Sequence, residues 1–570
     1  MKIISFAVNN FRGITGGLEN NTIKFENSNT IFLFGQNNVG KSTFLKAYEY
    51  LVKNETVQDK DYFNQNKKSC IELEVVLKLE DSDDTKLASH TGWNSFKQKA
   101  NKNSHIKVKK SYVDNKSKFE TFNWETNGWE DGMAFGLGTV FGAVLPKPIF
   151  IKAMPTEDDV KNTINDIMKL KAEKKLAEKE REELKEAKQK IKELQDKIYS
   201  PESIKKYSES VNKEFEKLFP DLSFEITDQD NSKFTHDKIG KKFDILCKNK
   251  KNQNQDTNIP ENLISHGHGT VRSAIFTFLM LQDEISDSPN KDIIILFEEP
   301  ELFLHPKLTK KLRELMYKIT DADTPFQVIC ASHSPQMIDM SKDHTTIVKM
   351  MKDNEDKTKL FQVDKNTIDI KNQQGKKLSS EEKKKELQSL LRFNPYVCES
   401  FYADEVVLVE GDTEAIVWRA YLEEFRDNKK DIFVVNCGSV SNIPFYQEIF
   451  SKFNIKYSVI CDTDHIKTQN NWNMECESPS FDSHIQKSIQ TKFEADKKLG
   501  IAQHFFVFDE TFEPAHEKLK NPFKFDNTGS GGKPFNANRY WEVNLLPNKD
   551  SDGFKNVPII KYIQKILKKQ

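Results

Sequence analysis

Long hydrophobic runs are missing from this chain. In 570 residues no apolar stretch approaches the roughly 18 residues that a membrane-crossing helix needs. The longest, 293–297 and 274–281, have the lengths of a core strand and a core helix. The opening Met1-Lys-Ile-Ile-Ser-Phe lacks the apolar stretch and cleavage site of a secretory leader. The expectation is a soluble, cytoplasmic protein with no membrane contact. A surplus of one charge is missing too: 86 Lys and Arg face 87 Asp and Glu. That balance excludes a generally basic nucleic-acid coat and leaves room for a local basic channel. Arginine is scarce, only eight residues, so each one is informative. The seven cysteines never form C-x-x-C, and several sit in apolar strand-like runs. They exclude a disulfide framework and a zinc cage.

What is present is strand–helix alternation, interrupted. The length allows roughly three or four units of about 150 residues. Short apolar runs at 3–7 and 31–35 predict strands, 42–52 a helix, and 71–79 an alternating strand. Residues 80–130 are polar and mixed and give no clear strand, and 149–151 predicts another. Residues 157–200 then change character: they are rich in Lys, Glu, Ala, Leu and Gln and contain no Gly. Leu184, Ala187, Ile191, Leu194 and Ile198 repeat at 3-4-3-4, a coiled-coil seam about two heptads long. The segment reads as a helical arm or dimerisation hairpin paired with 202–218, or as a solvated helix, ending at Pro201. Strands follow at 222–226, 243–246, 293–297 and 327–331, with a helix at 271–284. From about 345 comes a Lys-rich connector with a helix at 380–392, introduced by a capping box at Ser379-Ser380-Glu381-Glu382. A separate α/β alternation begins at 405, with strands at 405–409, 432–436, 457–461 and 504–508.

The first half carries a phosphate site. Gly35-Gln-Asn-Asn38-Val-Gly40-Lys41-Ser42-Thr43 follows an apolar strand and opens a helix. Its glycines let backbone N–H groups wrap a phosphate; Lys41 would reach the β- and γ-phosphates and Ser42 would hold Mg²⁺. After the strand 293–297 come paired carboxylates, Glu298 and Glu299, followed by Pro300 and Glu301. One suits the Mg²⁺ shell and the next suits an attacking water. Ser265-His-Gly267-His-Gly269-Thr270 is a Gly-rich turn opening a helix. It lies so far along the chain from the first loop that it fits a nucleotide held by another subunit. His333 follows the strand 327–331.

The second half carries an acidic site. Glu410 ends one apolar strand, Gly411 permits a sharp turn, and Glu414 lies a helical turn further on. Asp462-Thr-Asp464 ends another strand. Two adjacent acidic strand ends in one α/β unit place oxygen donors together beyond the strands' carboxyl ends, where Mg²⁺ or Mn²⁺ binds.

These elements, in this order with a helical arm between, resemble an ABC-type ATPase of the class containing structural-maintenance, RecF and OLD-family (overcoming lysogenization defect) proteins, fused to a TOPRIM domain. The start Phe6-Ala-Val-Asn-Asn-Phe-Arg12-Gly13 is similar to that class's first strand and turn. The resemblance implies Arg12 near the nucleotide, Ser265, Gly267 and Gly269 as a signature motif acting across a dimer, and His333 as a switch histidine. It assigns Glu298 to the Walker B metal position and Glu299 to the catalytic base. Gln58 is the candidate for the glutamine loop. In the TOPRIM half it implies a later acidic residue and a lysine, matched by Glu513 and Lys533. The signature ends in Thr270 where most of the class has Gln, and Walker B reads Glu-Glu where most ABC ATPases have Asp-Glu.

The resulting expectations are specific. The domains fall at 1–156 and 219–345 (ATPase), 157–218 (insertion), 346–400 (connector) and 401–570 (TOPRIM). The cofactors are ATP with one Mg²⁺, and two Mg²⁺ or Mn²⁺ in the acidic site. One of those two would sit on Glu410, Asp462 and Asp464, the other on Glu414, Asp412 and Glu513, with Lys533 stabilising charge on the phosphate. The function implied is an ATP-regulated endonuclease acting on DNA, in anti-phage defence. It would work at least as a homodimer, with a helicase-like partner if the Gabija-type resemblance holds. The alternative is a DNA-clamping repair ATPase with an inert second domain.

Overall fold

The computed structural model describes residues 1–25, 28–53, 56–87, 92–131, 145–156, 159–160, 163, 201–217, 222–228, 243–249, 261–262, 267–280, 292–320, 326–339, 346–363, 378–379, 382, 385, 396–425, 430–462, 484–508, 511–528 and 531–567. The chain divides into two compact units, Met1–Met337 with Met350–Leu360, and Ile338–Lys349 with Phe361–Gln570. The coiled-coil seam at 184–198 lies outside the described residues, as do Ser265 and Asp464.

The first unit begins with strands Lys2–Asn9 (β1), Thr22–Lys24 (β2), Thr30–Phe34 (β3), Ile71–Lys78 (β4), His105–Val113 (β5), Lys116–Asn123 (β6), Gly128–Asp131 (β7) and Lys147–Ile151 (β8). Leu222–Asp228 (β9), Phe243–Asn249 (β10) and Glu261–Asn262 (β11) form a small antiparallel sheet. Ile293–Glu298 (β12), Phe326–Ala331 (β13), Ile347–Lys352 (β14) and Thr358–Gln362 (β15) follow. One six-stranded sheet is ordered β2-β1-β4-β5-β6-β7 and is antiparallel; the other is ordered β15-β14-β3-β13-β12-β8. In the second sheet β3, β13, β12 and β8 are parallel. β3 and β13 are buried at every position, which is why both are apolar apart from Thr30 and Gln327.

Helix Lys41–Val52 touches β8, β12 and β13 and also β4, and its Phe44 and Tyr48 meet Phe6 of β1 edge-on at 5.2 and 5.3 Å. Its C-terminus is capped by an unexpected group. The Lys110 ammonium, buried on β5, donates to Tyr50 O at 2.8 Å and Lys53 O at 2.9 Å, and Tyr112 Oη donates to Tyr50 O at 2.9 Å. A cation on the last carbonyls of a helix meets both its unpaired acceptors and its dipole.

In the second unit Glu405–Val409 (β16), Ile432–Asn436 (β17), Tyr457–Asp462 (β18) and Ala502–Phe508 (β19) form one parallel sheet ordered β17-β16-β18-β19. The chain order reverses between β16 and β18. Connections leave in opposite directions there, so a crevice opens beyond their carboxyl ends. Helices Asp412–Glu424, Ile443–Lys452, His484–Lys498 and Pro558–Leu567 cover the sheet. Trp418, Tyr540 and Tyr562 are among the buried aromatics of its core, and Tyr562 stacks on Phe506 with ring centres 4.4 Å apart. The connector expected from 345 begins instead with β14 and β15, whose lysines disguised two strands. The capping box at its far end is present: Ser379 N–H donates to Glu382 Oε2 at 2.8 Å, and Glu382 N–H to Ser379 Oγ at 3.3 Å.

Candidate functional site

The nucleotide loop lies between β3 and helix Lys41–Val52, and its backbone explains its sequence. Gly35 has φ +151, and a Cβ there would fall 2.1 Å from Met350 O. Gly40 has φ +107, and Asn38, one of the few side-chain types that tolerate it, has φ +64. Only glycine fits at 35. Lys41 is buried and donates to Gly35 O and Gln36 O, each at 2.8 Å. Burial lowers its ammonium to about 8, against the pull of Glu299 and Glu301. Ser42 is exposed at the helix start with Thr43 beside it.

Strand order brings the other elements to the same sheet edge. Glu298 ends β12 and accepts from Ala153 N–H at 3.2 Å. Glu299 takes a positive φ of +43 and ties itself to the neighbouring strand by donating its N–H to Ala331 O at 2.7 Å. His333, just past β13, has Nε2 3.7 Å from Glu299 Oε1. Its imidazole is lowered by burial and then by the Lys41 charge, so it faces Glu299 as a neutral ring near pH 7. Glu301 accepts the His333 N–H at 2.6 Å, and burial raises its carboxyl.

Two members of this set escaped sequence reasoning. Glu301 was read only as part of an acidic run. Ala153 becomes visible only once Phe297 is registered beside Ile151, because both strands then end together. Gln58 plays a local part: with Asp61 it closes a capping box on a short 3₁₀ turn, its N–H donating to Asp61 Oδ2 at 2.9 Å. Asp61 also takes the Arg12 guanidinium, Nε to Oδ1 at 2.9 Å, and Arg12 itself is left-handed at φ +52. On the Gly-rich turn, a Cβ on Gly269 would meet Phe303 O and Leu304 Cδ2 at 2.8 Å each. Gly267 is exposed and, among the described residues, nothing lies within 4 Å of where its Cβ would sit.

In the second unit the acidic residues gather at the reversal point of the sheet. Glu410 follows β16 and Asp462 ends β18, and Asp462 N–H donates to Glu410 Oε2 at 3.2 Å. That bond holds the Glu410 carboxylate across the crevice. Glu414, in the first turn of helix Asp412–Glu424, folds back so that its Oε2 lies 3.3 Å from where a Cβ on Gly411 would be. Side chains at a helix start lean toward its N-terminus, and Gly411 leaves the space. Burial pushes the Glu414 carboxyl up to about 7, and the charges of Glu410 and Glu513 add to this. Glu513, on helix Phe512–Glu517, accepts from Thr511 Oγ1 at 3.1 Å and lies 3.3 Å from Lys533 Nζ on helix Gly532–Arg539. The Glu513 charge raises Lys533 most, and Glu414 and Asp462 add to it. Asp412 points aside, its Oδ1 accepting from Asn436 Nδ2 at 2.6 Å.

Thus Glu410, Glu414, Asp462, Glu513 and Lys533, separated by more than a hundred residues of sequence, share one electrostatic neighbourhood. Among the described residues no three His, Cys, Asp or Glu side chains close on a single point tightly enough to hold an ion; Asp464 falls outside them. The donor chemistry fits a hard cation nonetheless. Every donor is a carboxylate oxygen, and a divalent ion among them would offset the burial and the like charges that push the Glu414 carboxyl up. The phosphate loop fits ATP by its left-handed backbone at the start of a helix and by Lys41.

Residues 1–338 match the family described as AAA ATPase domain, and residues 401–464 match the overcoming lysogenization defect protein-like TOPRIM domain. The "Old nuclease" of Escherichia phage P2 is 24% identical over 462 residues, covering 76% of this chain and 73% of that one. The "OLD nuclease" of Thermus scotoductus is 25% identical over 235 residues, covering 39% and 40%. Among solved structures, an SMC head bound to the C-terminal winged-helix domain of ScpA gives a TM-score of 0.42 at 12% identity, covering 64% of this chain and 98% of that one.

Proposed function

Because the chain belongs to the AAA ATPase domain family and carries an OLD-like TOPRIM domain, we propose that it is a metal-dependent DNA endonuclease whose cutting is controlled by ATP. The observation that carries this is the gathering of Glu410, Glu414, Asp462 and Glu513 with Lys533 at the reversal point of a parallel sheet, in a chain that also holds a phosphate loop. Glu410 and Asp462, with Asp464, would hold one divalent ion, and Glu414 with Glu513 a second; Asp412, turned to Asn436, would have to swing round to join them. When bound, such ions supply the positive charge that activates a nucleophile and draws in a scissile phosphate. The Asp462 N–H keeps Glu410 oriented. Lys533, steered by Glu513, is placed to put a positive charge against the phosphate as negative charge grows there.

In the first unit the loop amides and Lys41 would hold the ATP phosphates, and Ser42 and Glu298 the accompanying Mg²⁺. Glu299, braced by Ala331 and facing a neutral His333, is positioned to orient water. The Gly267 turn would complete the site of a second copy, which makes the working unit at least a homodimer. Its exposure supports that reading. The role in defence against phage, and a helicase-like partner, rest on family resemblance alone.

The test is cleavage of supercoiled plasmid in Mg²⁺ or Mn²⁺. Wild type should nick or cut; EDTA and Glu410→Ala should each stop it. A DNA-clamping repair ATPase is the second reading. It predicts ATP-dependent DNA binding with no cutting at all.

A further inference from the structure

Helix Gly532–Arg539 buries one side and displays the other. Asn536, Ala537 and, just beyond, Tyr540 and Trp541 face the core, and Tyr540 Oη donates to Phe523 O at 2.8 Å. The helix packs on Asp412–Glu424, which carries Glu414. On its open side Phe535 is 57% exposed, and Arg539, one of the eight arginines, lies one turn further on and is exposed. An exposed phenylalanine alone is unremarkable, but this one is seated. A Cβ on Gly531 would come 2.5 Å from Phe535 Cγ and 2.6 Å from its Cδ1. Gly531 has ordinary backbone angles, so its lack of a side chain serves the ring and not the turn. The Phe535 side chain therefore lies against the bare backbone of Gly531, folded toward the helix end from which Lys533 reaches Glu513. The flanking charges are mixed: Lys524 and Arg539 share Asp526, and Glu542 is exposed nearby. Phosphate attraction alone would not select this face, whereas a flat apolar ring beside a guanidinium plane suits the face of a base.

We propose that Phe535, held by Gly531 and aided by Arg539, stacks on an unpaired nucleobase of the DNA whose phosphate lies at the acidic site, so that the enzyme favours single-stranded or frayed positions over intact duplex. This rests on the nuclease reading above. Phe535 acts as a positioning and specificity residue, since it does not itself touch the reacting atoms.

The experiment measures binding of the full-length protein, in EDTA so that nothing is cut, to a 2-aminopurine-labelled oligonucleotide as a single strand and as its duplex. Anisotropy reports affinity, and 2-aminopurine quenching reports stacking. Phe535→Ala should weaken single-strand binding about tenfold, the lower part of the range for losing one base–aromatic stack. It should abolish quenching and leave duplex binding within about twofold, below the range of one lost stack. Phe535→Trp should keep both signals, Phe535→Leu should behave like Ala, and Gly531→Ala, which displaces the ring, should weaken the single strand as well. The proposal is overturned if Leu restores binding, if single strand and duplex weaken together, or if Phe535→Ala changes only the oligomeric mass, which would make the face a contact between copies. Unchanged binding by Phe535→Ala in a protein that still cuts DNA defeats this inference alone. Wild type that neither binds nor cuts either DNA defeats the nuclease reading with it.

Discussion

The two candidate sites are built at the same place in their sheets and from different materials. Both lie beyond the carboxyl ends of parallel strands. The site of the first unit is made of backbone: Gly35, Asn38 and Gly40, all with positive φ. The site of the second unit is made of side chains: carboxylates from two strand ends and two helices, with one lysine. A backbone site tolerates few residues and announces itself as a short contiguous motif. A side-chain site can be drawn from anywhere the fold brings together. The first should therefore fail by not forming, and the second by forming and not reacting.

That contrast sets the expected effects. The largest belongs to the second unit: Lys533→Ala should lower plasmid cutting by about two to three orders of magnitude, as for removal of a single charge-stabilising group. Its thermal unfolding should stay close to wild type, because Lys533 is 70% exposed. A fold lost together with activity would break the contrast. Next comes Gly35→Ala, which must push Met350 O away and hold a strained φ. It should cost roughly 3 kcal/mol of stability and ATP binding with it, measured by denaturant unfolding and nucleotide titration.

A third effect reads the support beneath the acidic site. His516, on the buried side of helix Phe512–Glu517, has Nδ1 2.7 Å from Phe512 O and Nε2 3.3 Å from the Ile559 N–H. The neutral ring that donates from Nδ1 and accepts at Nε2 satisfies both. Burial holds its pKa down at about 4, against 6.5 unperturbed. The unfolded chain takes up this proton as pH falls through 6.5, and the folded one only near 4. The stabilisation is complete above 6.5 and is lost progressively down to about 4, roughly 3 kcal/mol in all. Denaturant unfolding at a series of pH values should show that slope in the difference between wild type and His516→Gln, where the opposite slope from the raised Glu414 carboxyl cancels. The smallest effect is expected at Gly267. With space around it, Gly267→Ala should leave folding within about 0.5 kcal/mol of wild type, while removing the conformational freedom a second copy would use. Analytical ultracentrifugation with ATP should then show weaker association.

Legibility followed the same division. The phosphate loop and the strands β12, β13, β16, β17 and β18 could be read from sequence, because buried parallel strands are continuous apolar runs with chemistry at their ends. Glu410 and Asp462 were legible for that reason. Glu513 and Lys533 were reached only through family resemblance, since nothing local ties them to the crevice; their ion pair and shared field now do. β5 was missed because Lys110, turned inward to cap a helix, breaks the apolar alternation of His105–Val113. β14 and β15 were hidden likewise, with Lys349 buried inside a Lys-rich stretch. Glu301 and Ala153 could not be singled out before the order of strands was known.

The most direct test sets the two sites against each other in one plasmid assay, with Mg²⁺, across a range of ATP concentrations, using wild type, Glu410→Ala and Lys41→Ala. Glu410→Ala should not cut at any ATP concentration. Lys41→Ala should cut without responding to ATP, while wild type does respond. Cutting that survives Glu410→Ala, or ATP-dependent DNA binding by a wild type that never cuts, would contradict the nuclease reading.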